Sequence, residues 1–341
     1  MDRRTLPTNV KRTSVVRRVP PMRISPRLVA APGLEGAVCA FELAPEALPI
    51  IVEEVSGRSM TLAPGDVFLA TPGHRESTRW VVGGIPKRGL VAGRSYWVLA
   101  ESGVVGDLVG GTPSTKTHLG QAKYLGAVSG GDGKLINIRE FAAPNASGLA
   151  DRGAPVFLVL GTSAEVGKTT AGLTVLRALL QKGHATVIAL KATGTSGITE
   201  IAAYHDYGAT HAFDCVDFGL PTTYPANRGG IVDVFDRALD TCLSIPADAV
   251  LIECGGDMLG ANVPVFLKRL KRRRSRPKVI LAAADALGAL GATRMLKEMG
   301  LTTSLITGPC TDTHALRRRT EDLCRIPALN MAGRGSEGVP L

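Results

Sequence analysis

Residues Val156–Leu160 are five apolar residues in a row. The stretch Gly161-Thr-Ser-Ala-Glu-Val-Gly-Lys-Thr-Thr170 then leads into Leu173, Leu176 and Leu180 at helical spacing until Gly183. A fully apolar strand belongs inside a sheet, and the helix that follows it must fold back to cover that sheet. The turn between them therefore lies at a helix N-terminus, where unpaired backbone N–H groups and the positive end of the helix dipole face one small volume. A polyphosphate fits there. Lys168 is expected to reach the β- and γ-phosphate oxygens as a point charge, and the Thr169 hydroxyl to ligate the Mg²⁺ that neutralises them. Gly161, Thr162, Glu165, Val166, Gly167, Lys168, Thr169 and Thr170 are the expected nucleotide contacts of the loop.

The remainder of the C-terminal half repeats the strand-then-helix alternation. Ala185–Leu190, Ala249–Ile252, Lys278–Ala282 and Thr303–Ile306 are short apolar runs, with helical periodicity between them, as at Ile231–Leu243. The pattern predicts an α/β fold of the P-loop NTPase kind, a mostly parallel sheet with helices on both faces, over residues 155–332. Ligands of such sheets bind at the carboxyl ends of the strands. Residues 28–142 read differently. Asp66–Ala70, Trp80–Val82, Ser95–Ala100 and Leu135–Ile138 are short apolar runs separated by Pro-Gly, Gly-Gly and Gly-Asp-Gly. They predict a smaller strand-rich domain, mixed or mainly β, for which a barrel is one available form. Residues 1–27, basic and with prolines at 7, 20, 21 and 26, read as a disordered arm, residues 143–154 as a linker and residues 333–341 as a tail.

A nucleotide site needs a second strand to bring an acid to the metal. Asp248-Ala-Val-Leu-Ile-Glu253-Cys-Gly-Gly256 does so: four apolar residues carry Glu253 to a strand end, and Gly255 and Gly256 let the backbone approach the phosphates. Lys191 and the turn from Thr193 to Gly197 follow the neighbouring strand, Asp217-Phe-Gly lies further on, and Thr307-Gly-Pro309 follows a late strand where it could border the base. The loop spelling, with glycine at 161 and threonine at 162, resembles that of dethiobiotin synthetase and its amidoligase relatives. Lys191-Ala-Thr-Gly-Thr-Ser-Gly197 and Asp217-Phe are closer to an uncharacterised-domain P-loop family that includes the D-glutamate-cycle proteins. The resemblance covers about residues 155–330. It implies Thr169, Asp217 and Glu253 at the metal, and Lys168, Lys191 and Thr193 in catalysis. It also implies a Mg²⁺-dependent ligase that activates a small-molecule carboxylate or carbamate as an acyl phosphate for transfer to an amine. A small-molecule kinase or an NTP-driven switch of the same fold remains open. No Asn-Lys-x-Asp guanine signature occurs, so ATP is expected over GTP.

The net charge of +10 is concentrated. Residues 1–28 and 268–278 carry +7 and +8, and everything else sums to −5. Solvated basic surface accounts for such runs, and with few aromatics beside them a nucleic-acid partner is the weaker reading. Six cysteines without a Cys-x-x-Cys pair argue against structural zinc or a disulfide framework. No apolar run approaches a membrane span and no secretory signal is evident, so a cytoplasmic homo-oligomer acting on a small molecule is expected.

Overall fold

A computed structural model describes residues 5–76, 81–111, 119–144, 146, 149, 151–224, 228–273 and 276–332. The chain divides into two compact units, one of residues 1–144, 195–199 and 214–227 and one of residues 145–194, 200–213 and 228–341. Two excursions from the C-terminal half, residues 195–199 and 214–227, belong with the first unit.

The first unit is built on strands β1 (Lys11–Arg12), β2 (Leu28–Val29), β3 (Cys39–Leu43), β4 (Ile50–Glu53), β5 (Ser59–Leu62) and β6 (Val67–Pro72). They are followed by β7 (Arg75–Glu76), β8 (Val81–Gly84), β9 (Ser95–Ala100), β10 (Val104–Gly111) and β11 (Gln121–Val128). The pairings β6–β3, β3–β11, β11–β9 and β9–β10 are antiparallel, and a parallel β6–β10 pairing closes the ring. A sheet closed in this way has no edge along those strands. Phe41, Phe68, Tyr124, Leu62, Val98 and Val105 fill one core of the unit, with Phe41 stacked on Phe68 at 5.8 Å. The run Leu135–Ile138 is not a strand. Asn137 and Glu140 form a capping box, which starts a 3₁₀ turn at Ile138–Phe141.

The described part of the basic arm is built into the first unit. Its β1 pairs with β6, and Val15, Val16 and Val19 are buried in a second core with Val38, Leu69 and Ile138. Arg17 donates to Asp214 at 2.6 Å and Asp217 at 2.8 Å, and Arg18 approaches Asp217 at 3.3 Å. Lys11 pairs with Asp66 at 2.6 Å. Three of the arm's basic side chains, Lys11, Arg17 and Arg18, thus sit in internal ion pairs.

The second unit carries β12 (Val156–Gly161), β13 (Val187–Thr193), β14 (His211–Phe213), β15 (Ala249–Cys254), β16 (Lys278–Ala282) and β17 (Thr303–Thr307). All pairings are parallel, in the order β14-β13-β15-β12-β16-β17. The helices are α1 (Lys168–Gln181), α2 (Ile198–Asp206), α3 (Arg228–Ser244), α4 (Val263–Arg272), α5 (Ala286–Glu298) and α6 (His314–Cys324). In α2, Ile198 and Thr199 are counted with the first unit. The buried stripe of α1 is Ala171, Val175, Leu176, Ala178 and Leu179, packed on Val159, Ala189 and Leu251, while Leu173 and Leu180 flank it half-buried. Gly183, at φ +91°, ends the helix in the left-handed conformation that glycine adopts without strain. Arg269 of α4 pairs with Asp236 at 2.8 Å, and Arg273, just after that helix, with Asp240 at 2.9 Å, so the second basic run is also partly neutralised. No helix among the described residues is long and apolar enough to cross a membrane.

Arg17 lies between two carboxylates with only 10% of its side chain exposed. Replacing it by Met takes from two buried carboxylates the guanidinium they share, so urea unfolding of Arg17→Met should show a loss of about 3–5 kcal/mol.

Candidate functional site

The second unit assembles its site at the carboxyl ends of β12, β13 and β15. The register places Val159 opposite Glu253, and Glu253 opposite Lys191, so the lysine and the acid leave the sheet at one level. The loop from β12 begins with Gly161, where a Cβ would come within 2.7 Å of Lys168 Cδ and 2.8 Å of its Cγ. Glycine is required here so that the lysine stem can lie along the loop. This accounts for a glycine at 161. Thr162, freed from that constraint, ties the loop to the end of β16, its hydroxyl accepting from Ala284 N–H at 3.2 Å. Glu165 adopts φ +59°, a strained conformation for a residue with a side chain, and Gly167 follows at φ +85° directly before α1. Val166 is buried, while Thr170 is exposed.

Lys168 is 7% exposed, and its ammonium donates to the Ser163 carbonyl at 2.7 Å. Burial pulls its pKa down, the Glu253 carboxylate resists that pull, and the Lys191 ammonium adds to it. Lys191, 8% exposed, is ion-paired with Glu200 of α2. Two nearly buried ammonium groups therefore share one electrostatic neighbourhood, next to the N-terminus of α1.

Glu253 is 2% exposed. Its Oε1 accepts from the Thr169 hydroxyl at 2.9 Å and its Oε2 from the Tyr204 hydroxyl at 2.7 Å. Burial and then the Glu253 charge push the Tyr204 phenol well above its ordinary value, so it is a standing donor. Neither Tyr204 nor Glu200 is expected from the sequence. Thr193 donates to the Gly255 carbonyl at 2.9 Å, and a Cβ on Gly255 would lie 2.5 Å from the Thr193 carbonyl oxygen. That glycine is needed for the close approach of two strand ends, and Gly256 at φ +82° turns the chain away after it. Cys254 is fully buried, its thiol pushed up to about 12 by that burial, which leaves it chemically inert. Pro309 is exposed at the start of a 3₁₀ turn at Pro309–Thr311.

Asp217 has a different setting. It belongs to the first unit, where it accepts from Asp214 N–H at 2.9 Å and from Arg17 and Arg18. Burial pushes its carboxyl up, Arg17 pulls it down and Asp214 raises it again. This carboxylate completes the capping box of a 3₁₀ turn and a buried ion pair with Arg17, a structural setting in place of the expected part in metal binding.

Among the described residues no group of three or more His, Cys, Asp or Glu side chains could hold a metal. The Thr169 hydroxyl with the Glu253 carboxylate is instead a sparse oxygen pair. It fits Mg²⁺, which keeps several waters and takes phosphate oxygens to complete its shell.

No family model and no curated protein matches the chain. Solved structures that it resembles include FtsY from Mycoplasma mycoides, at 17% identity over 56% of this chain and 63% of that one, with a TM-score of 0.38. Chloroplast FtsY from Physcomitrella patens gives 18%, 59%, 65% and 0.40 for the same measures. The signal recognition particle receptor FtsY from Elizabethkingia anophelis in complex with GDP gives 18%, 54%, 59% and 0.38. The chain spans less than two thirds of the length of these three. The second unit is an α/β fold, a parallel sheet flanked by helices with a strand-loop-helix opening, and a separate strand-rich sheet accompanies it. The comparisons lend no support to the dethiobiotin synthetase-like resemblance.

Removing the lysine or misplacing it should have the same result. Lys168→Ala and Gly161→Ala should both weaken nucleotide binding by roughly tenfold or more, since hydrogen bonds to charged groups contribute about 1.5–3 kcal/mol each. Calorimetry should register the loss in both proteins while their melting temperatures stay near that of the wild type.

Proposed function

We propose that the chain binds a nucleoside triphosphate with Mg²⁺ at the loop Gly161–Thr170 and hydrolyses its terminal phosphate. The change in phosphate content then alters the partner of Lys191, as in an NTP-driven switch. The observation that carries this reading is that two nearly buried ammonium groups, Lys168 at the start of α1 and Lys191 on β13, lie within electrostatic reach of each other. Desolvated like charges repel, and a polyanion placed between them turns that repulsion into attraction. Thr169 and Glu253 would hold the metal, which supplies neutralisation of charge on the β- and γ-phosphate oxygens. ATP is the nucleotide proposed, on the absence of a guanine signature from the sequence.

In the reaction, water adds to the γ-phosphorus, the bond to the β,γ-bridging oxygen breaks, the diphosphate leaves, and the protons of the water pass to the inorganic phosphate and to solvent. Lys191 stabilises charge that develops on the transferred group. It is now paired with Glu200, so a γ-phosphate competes with that carboxylate for one ammonium. This competition favours a switch over the acyl-phosphate ligase, whose chemistry rests on the sequence resemblance alone.

Phosphate release from ATP, GTP and their diphosphates, measured with and without Mg²⁺, tests the reading. Mg²⁺-dependent release from a triphosphate is expected, and a protein that binds no triphosphate overturns it. Lys191→Ala should lower turnover by roughly 10²–10³-fold, the loss typical of one such donor. Glu200→Gln removes the competing charge, so the preference for triphosphate over diphosphate should rise several-fold. An unchanged preference would rule out the exchange.

A further inference from the structure

We infer that Tyr204 is a positioning residue for the metal-facing acid, holding one oxygen of Glu253 so that the other stays on the Thr169 hydroxyl and the cation they share. The inference rests on the proposed reading of Glu253. A carboxylate that is 2% exposed has only the orientation its donors allow. Here the two donors come from different helices: Thr169 from the first turn of α1 and Tyr204 from α2. With Oε2 bound at 2.7 Å by a phenol that is itself 1% exposed, the carboxylate cannot rotate without leaving a buried donor unsatisfied.

A second, independent feature prepares this contact. Gly172 lies three residues after Thr169 on the buried side of α1, and a Cβ there would come within 2.2 Å of the Tyr204 hydroxyl and 3.1 Å of its ring carbon Cζ. Glycine is a poor residue for a helix interior. Its position opposite the phenol leaves room for the hydroxyl to reach Glu253. The tyrosine ring also packs in the core with Ala171, Val175 and Leu251, so a merely structural role is the competing explanation. Phenylalanine would satisfy the packing and not the hydrogen bond.

The test uses the full chain with a non-hydrolysable ATP analogue and Mn²⁺ as the probe, its affinity for the protein–nucleotide complex read by electron paramagnetic resonance. Tyr204→Phe removes the hydroxyl. Gly172→Ala keeps the hydroxyl and displaces it, while favouring the helix. Each should weaken Mn²⁺ binding by roughly 10–100-fold, as expected for loss of a group that orients a metal ligand. Analogue affinity in EDTA should be unchanged in both, so that the loss is confined to the metal, which a packing role alone would not give. Wild-type Mn²⁺ affinity in both variants, with affinity lost in Glu253→Gln, would overturn the role of Tyr204 and leave the metal reading standing. Unchanged affinity in Glu253→Gln would overturn the metal reading and this inference with it. If Tyr204→Phe does not fold, Gly172→Ala decides by the same measure.

Discussion

The second unit is organised around a carboxylate that has been taken almost completely out of water. An isolated buried carboxylate costs several kcal/mol, and the cost falls only when donors and positive charge surround it. Glu253 meets this condition with the Thr169 and Tyr204 hydroxyls and the attraction of Lys168. The partners come from two places in the chain, Lys168 and Thr169 from the start of α1 and Tyr204 from α2. The strand must end at Cys254, α1 must begin at Lys168, and α2 must present Tyr204 toward them, or the charge is left unsatisfied. Loop, strand end and helix thus hold one another in register through a single side chain.

Much of this unit is legible in the sequence because its signals are local. An unbroken apolar strand, a glycine-bounded turn and a helical stripe need no knowledge of distant residues, and every described strand of the unit except β14 lies within a few residues of an apolar run. Glu253 and Lys191 are readable as well, since each closes an apolar run. Glu200 and Tyr204 are not. They sit within a nine-residue helix, and what distinguishes them is contact with Lys191 and Glu253, the latter 49 residues from Tyr204. Nothing in the spacing of Ile198–Asp206 announces such a contact.

In the first unit the differences between sequence pattern and structure have other causes. Val15, Val16 and Val19 lie among arginines and prolines, so composition suggests an arm although the three valines supply a core. Asp217 follows a short apolar stretch as a ligand might, yet Arg17, two hundred residues earlier, claims it. Leu135–Ile138 alternates as a strand does, and the Asn137–Glu140 capping pair decides against it. The ring of strands closes through β6 and β10, a parallel pairing that no hairpin signal marks.

Glu200 and Tyr204 stand one turn apart on α2, about 6 Å along its axis, the first holding the site's second lysine and the other its acid. A short helix is nearly rigid, so its two side chains behave as two contacts on one lever. A slide or roll of α2 large enough to free Lys191 also disturbs the grip on Glu253. The basic and acidic arms of the site are thereby coupled mechanically, which favours two concerted arrangements over independent adjustment of each charge.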